Sequence, residues 1–202
     1  MNAADPSVLD GRGDAYHVSG LAWRIDHGAH AVSHSVAVSE VFSPCAAAAL
    51  YRRSALLEVG GFDEDFFCYV EDVDLGFRLR LAGHKALYVP DAVVHHVGSG
   101  MTGGQHSNFA VYHGHRNLVW TYVKNMPVLL FWLFLPLHVA MNLVTLVVFT
   151  LRGQGRVIWR AKWDAIKGLR KMWWKRQAIQ STRMATVREI WRYLDKQIVP
   201  VR

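Results

Sequence analysis

The sequence predicts an α/β chain with membrane-associated helices behind its α/β part, and three observations carry that prediction. Residues 72–82 read as a helix closed by Gly83, with strand-like runs following at 85–89 and 92–97. Residues 127–151 contain no Asp, Glu, Lys or Arg over 25 positions. At about 1.5 Å per residue such a run is long enough to cross a hydrocarbon core of roughly 30 Å. Charge is also divided sharply: residues 152–202 hold 14 Lys and Arg against 3 Asp and Glu, whereas the preceding residues hold 9 against 13. The overall charge of +7 is therefore a property of the tail, and 51% hydrophobic composition excludes a disordered chain.

Taken in order, residues 1–44 are rich in Gly, Asp, His and Ser and read as loops and small strands. The small-residue run 44–51 reads as β-type, and Ser54 is placed to cap a short helix over 55–59 that stops at Gly60-Gly61. Over 72–82, Leu75, Leu79 and Ala82 share one helical stripe with Arg78 and Arg80 largely off it, as in an amphipathic helix. Pro90-Asp91 turns the chain between the two strand-like runs, and glycine dominates 98–104, as in a mobile loop. Beyond the apolar segment, Trp159, Trp163, Ile166, Leu169 and Trp173 recur at helical spacing among Lys and Arg, the composition of a helix lying in a membrane interface. Thr186 and Glu189 form a capping box that opens a last helix expected to reach Ile198. Cys45 and Cys68 do not make a disulfide framework, which fits a reducing, cytoplasmic setting.

Chemistry concentrates at Glu71-Asp72-Val73-Asp74 and at His95-His96. A carboxylate in the first turn of a helix is favoured in its ionised form, as a general base requires. Neutral imidazole is a good ligand for Mn²⁺-type metals beside carboxylates. Neighbouring strand residues face opposite ways, so only one of the two histidines can enter a site; His96, in phase with Val94, is favoured over His95.

The run AAALYRRSALLEVGGFDEDFFCYVEDVDLGFRLRLAGHKALYVPDAVVHHV, residues 47–97, resembles the acceptor-side half of family 2 glycosyltransferases. The resemblance implies an inverting enzyme of glycosyltransferase A type α/β fold, rhamnosyltransferase-like, taking a nucleotide-sugar donor and a lipid-linked or polysaccharide acceptor. By it, Asp72 is the catalytic base; Glu71, Gly60, Gly61 and Asp63 shape the acceptor pocket; and His96, or else His95, is a metal ligand. The Tyr112-x-x-x-Arg116-Asn117 element also matches, and Arg116 is either a donor-diphosphate contact or a headgroup anchor for the apolar segment. Asp72-Val73-Asp74 spells the family's metal-binding D-x-D, but it opens a helix instead of ending a hydrophobic strand. The main carboxylate ligands for Mn²⁺ or Mg²⁺, like the nucleotide-binding half, are therefore expected outside these residues, upstream or on a partner chain.

The expected organisation is an acceptor-side half over 1–116, an apolar membrane segment over 117–152 and a basic amphipathic tail over 153–202. A site on the cytoplasmic face and a basic tail both favour the same side, so 127–151 is expected to dip in and return, bending near Pro136. Little activity is expected of these residues alone, and a non-catalytic membrane-anchoring subunit is the alternative. Nucleic-acid binding is disfavoured, because Trp173-Trp174 sit beside an apolar segment.

Overall fold

The computed structural model describes residues 1–30, 37–97 and 106–197; the glycine-rich stretch 98–104 and Ile198 lie outside them. The β structure consists of two short antiparallel pairs. Strand β1 (Asp14–Tyr16) pairs with β2 (Ala22–Arg24), and β3 (Ser39–Val41) pairs with β4 (Ala86–Tyr88). The two are joined where Asp14 and Ser43 exchange backbone hydrogen bonds of 2.8 and 3.2 Å. Among the described residues the only parallel pairings are the isolated bridges Asn2–His96 and His17–Asp195, so the parallel sheet of an α/β chain is absent there and the architecture is mixed helix and sheet.

Six α-helices follow: α1 (Arg53–Glu58), α2 (Glu71–Leu81), α3 (Asn108–Asn125), α4 (Val128–Phe149), α5 (Gly155–Ser181) and α6 (Val187–Tyr193). The longest three pack up, down and up. Helices α3 and α5 run parallel, held by Tyr112–Asp164 at 2.8 Å near one end and by Arg176 donating to the Val123 carbonyl at 2.9 Å near the other. Helix α4 returns between those ends, with ring centroids 5.4 Å apart for Tyr122–Phe131 and 4.6 Å apart for His115–Phe149. Gly168 permits the close approach of α3 and α5, since a Cβ there would lie 2.6 Å from the Trp120 indole. One core unites the elements, with Tyr16, Phe42 and Phe77 clustered at centroid distances of 5.1 to 5.3 Å and Phe66, Trp120, Met172 and Ile190 continuing it. The boundary expected at 116/117 consequently falls inside α3, and the expected tail contributes to the same core as the first 116 residues.

Several local expectations are corrected. Residues 44–51 form a 3₁₀ turn at Ala46–Ala48 instead of β structure, and α1 opens at Arg53 without a side-chain cap from Ser54. Residues 92–97 are not a strand: among the described residues their pairing is with residues 1–3, through Met1 N to Val94 O at 2.9 Å and His96 N to Met1 O at 3.0 Å. Helix α2 is not one-sidedly amphipathic, because Arg78 and Arg80 are buried. Arg78 pairs with Asp74 at 2.9 Å, while Arg80 pairs with Glu40 at 2.9 Å and reaches the Phe42 and Val41 carbonyls. A guanidinium surrounded by such acceptors can be buried where an unpaired one could not. Helix α4 runs through Pro136, and the chain reverses at Gly153 (φ +82), not near the proline. Helix α6 has the expected capping box but ends at Tyr193, after which Asp195 pairs with the end of β1 through its N–H to Tyr16 O at 2.8 Å.

Candidate active site

The site grows from the loop that enters α2. Phe67, Tyr69 and Val70 all have positive φ (63°, 61° and 69°), a conformation costly for side chains of this bulk. Three carbonyls of the loop converge on the Asn117 amide: Phe66 O and Cys68 O at 2.9 Å and Tyr69 O at 2.7 Å. Arg116 donates to Asp65 O at 3.2 Å and Phe66 O at 3.0 Å, with its guanidinium 4.3 Å from the Trp120 ring centroid. The Arg-Asn element therefore pins the strained loop that delivers Glu71 and Asp72 to the start of α2.

Asp72 is half-buried in the first turn of that helix. Its Oδ2 accepts the Ala46 N–H at 3.1 Å, its Oδ1 accepts the Val73 N–H at 2.9 Å, and its carbonyl accepts the Ser43 hydroxyl at 2.9 Å. Beside it, burial and then the Asp72 charge push the Glu71 carboxyl up to about 7. Burial, followed by the charge of Asp72, also pushes Asp14 of β1 up to about 7, with Arg24 acting in the opposite direction. Like charges crowded in a poorly solvated place favour protonation of all but one carboxylate. Glu71 Oε2 and the Tyr51 hydroxyl are both buried without a hydrogen-bond partner among the described residues.

A polar row connects this cluster with His96. Arg24 lies 3.8 Å from Asp14 and 2.7 Å from Asp10, and Asp10 Oδ2 lies 3.0 Å from His96 Nδ1. A groove of about 1160 Å³ is walled by Asp10, Arg24, Ala46–Ala49, Tyr51 and His96, and Asp72 touches that wall through the Ala46 amide.

The expected site residues thus divide. Glu71 and Asp72 act electrostatically on Asp14, which the Arg24–Asp10 row joins to His96, and His95 is exposed whereas His96 is half-buried. Gly60 and Gly61 form the positive-φ turn after α1, outside the groove wall. Asp63 also lies off that wall: although burial would raise it, Lys124 and Lys175, both at 2.5 Å, hold its carboxyl well below the usual range. Arg116 grips backbone carbonyls in the way described. Among the described residues no group of three or more His, Cys, Asp and Glu side chains is placed to hold a metal ion, and His96 with Asp10 supplies two donors. The expected Mn²⁺ or Mg²⁺ therefore lacks a full ligand set within these residues.

Asp10, Asp14, Arg24 and Tyr51 were not identifiable from sequence. An acidic residue opening a short strand, as Asp14 does, has no local signature, and only its burial against α2 marks it.

Known proteins place these features. The profile of the family described as "Glycosyltransferase like family 2" matches residues 26–126. The N-acetylglucosaminyl-diphospho-decaprenol L-rhamnosyltransferase of Mycobacterium tuberculosis (strain H37Rv) is 51% identical over 65 residues, 32% of this chain and 21% of that protein. The rhamnosyltransferase WbbL of Escherichia coli (strain K12) is 51% identical over 41 residues, 20% of this chain and 16% of that protein. The chain thus aligns with about a fifth of the length of these curated relatives, and no solved structure matches it. With its profile match covering half the sequence, from just after β2 to just past the end of α3, this chain belongs to the family 2-like glycosyltransferases.

Proposed function

We propose that this chain carries the acceptor side of an inverting sugar transferase. Asp72 takes the proton from an acceptor hydroxyl as that oxygen attacks the anomeric carbon of a nucleotide sugar, and the nucleoside diphosphate departs with the electrons of the broken bond. The observation that carries the reading is a hydrogen-bonded carboxylate in a helix first turn, beside two buried polar atoms without partners among the described residues, Glu71 Oε2 and the Tyr51 hydroxyl. Sugar hydroxyls would satisfy both, and burying such atoms unpaired otherwise costs about 1–3 kcal/mol each. Glu71, its carboxyl raised by burial and then by the Asp72 charge, is the acceptor-binding neighbour.

The acceptor we propose is lipid-linked and the transferred sugar rhamnose-like, in keeping with the names of the relatives. The donor-binding part belongs to residues beyond those aligned, on a longer chain or on a partner. The donor diphosphate would draw a divalent cation there. Membrane association is supported among the described residues by one stretch, within Val128–Ser181, that is long and apolar enough to cross a bilayer, and we assign it to the cytoplasmic face.

The test is Asp72→Asn, with Glu71→Gln beside it, in membranes that transfer labelled sugar from a nucleotide donor to a lipid-linked acceptor. Loss of a general base lowers turnover by about 10²–10⁴-fold, with membrane content unchanged. Undiminished turnover refutes the assignment and favours a non-catalytic anchor.

A further inference from the structure

We propose that α4 and α5 lie flat in one leaflet of an anionic bilayer instead of crossing it; this rests on the membrane association proposed above. The polar groups of α4 are bonded toward the protein. His138 Nδ1 lies 2.7 Å from Ser19 O, with its ring stacked on Tyr122 at a centroid distance of 3.9 Å, and Asn142 Oδ1 accepts from Lys162 Nζ at 2.5 Å. Leu129, Leu133, Leu143 and Val147 fall on a single helical face and are 57–66% exposed. On α5, Trp159, Trp163 and Trp174 are exposed among the Arg160, Lys167 and Lys171 side chains, a Trp and Lys/Arg mixture suited to the headgroup boundary.

Crossing is opposed by what travels with α4. Because α3 and α5 pack along it, an upright α4 would carry Arg116, Asp164, Lys167 and Arg170 into hydrocarbon, where an ionised side chain is costly. Detaching α4 to let it cross alone would strip His138 from Ser19 and Asn142 from Lys162. Lying flat avoids both costs. It also keeps the active site and the 14 basic residues of 152–202 on one side of the membrane, where anionic lipid attracts them.

The test uses the full chain with Cys45→Ser and Cys68→Ser, added to vesicles of equal parts phosphatidylcholine and phosphatidylglycerol. Nitroxides are attached through Leu133→Cys, Leu143→Cys or Val147→Cys, one at a time, and their depths are read from oxygen and nickel-chelate accessibility. Flat seating predicts flotation with the vesicles and one shared shallow depth, whereas an upright helix separates positions 133 and 147 by about 21 Å along the normal. Arg152→Cys, in the turn after α4, is expected to react with an impermeant maleimide added outside. Flotation with depths that step across the bilayer, or protection at 152, overturns the flat seating alone. Failure to float at all overturns membrane association itself.

Discussion

Lys124→Met probes the charged network that fastens the tail to the active-site loop. Lys124 on α3 is 1% exposed, with its Nζ 2.5 Å from Asp63 Oδ2 and 2.8 Å from Asp74 Oδ2. Asp74 is fully buried and also accepts from Arg78 at 2.9 Å and from Asn125 at 2.8 Å, while Asp63 also holds Lys175 at 2.5 Å. Methionine fills much of the same volume but removes the positive charge between the two carboxylates. Breaking a buried ion pair from one side costs about 3–5 kcal/mol, and each carboxylate retains one cation, so we expect the lower end, about 3 kcal/mol. Urea unfolding followed by tryptophan fluorescence reads this as a lower midpoint at unchanged slope. Adding Asp63→Asn to Lys124→Met relieves part of the repulsion, and the double-mutant cycle is expected to show coupling of about 1–3 kcal/mol. A loss below about 1 kcal/mol, or strictly additive effects, refutes this account. The acid limb provides a second check. Asp63 is depressed in the folded state, so its contribution is present above the ordinary carboxylate pKa of about 4 and is lost as pH falls toward the folded value. Lys124→Met therefore weakens the protein most at neutral pH and least in acid.

Asn117→Ala removes both amide N–H groups from the three loop carbonyls and is expected to cost about 2–3 kcal/mol, with turnover falling further than stability accounts for, as paired unfolding and transfer assays would show. Gly76→Ala drives a methyl into Ser43, whose Cα would lie 3.0 Å away, and costs about 1–3 kcal/mol while shifting the hydroxyl that bonds Asp72 O; Tm and transfer rate measure the two effects. Glu71 and Asp14 are raised to about 7, so the stability they contribute is full below their ordinary carboxylate values and declines as pH rises through about 7. Glu71→Gln is expected to flatten that decline in a series of Tm against pH, and an unchanged slope would count against the raised value.

Much of the helical framework was readable because its signals are local. The Gly60-Gly61 turn, the Gly83 stop at φ +89 after α2, the Thr186–Glu189 box and the uncharged run that becomes α4 each depend on residues within a few positions of one another. The same holds for Glu71 and Asp72, whose place in a helix first turn follows from the pattern around them. Partner choice was not readable. Arg78 and Arg80 lie off the apolar stripe in sequence, yet Asp74, Glu40 and the Val59, Val41 and Phe42 carbonyls surround them in the fold. The row from Asp14 through Arg24 and Asp10 to His96 joins residues up to 86 positions apart.

Sequence alone determined the helix stops at Gly60-Gly61 and Gly83, the capping box at Thr186 and the place of Glu71-Asp72 in the first turn of α2, since capping, turn geometry and hydrophobic periodicity act over one or two turns of chain. Tertiary structure decided which charges are buried, what surrounds Asp72 and that α4 lies along α3 and α5, because burial and ion pairing depend on groups that meet only after the chain has folded.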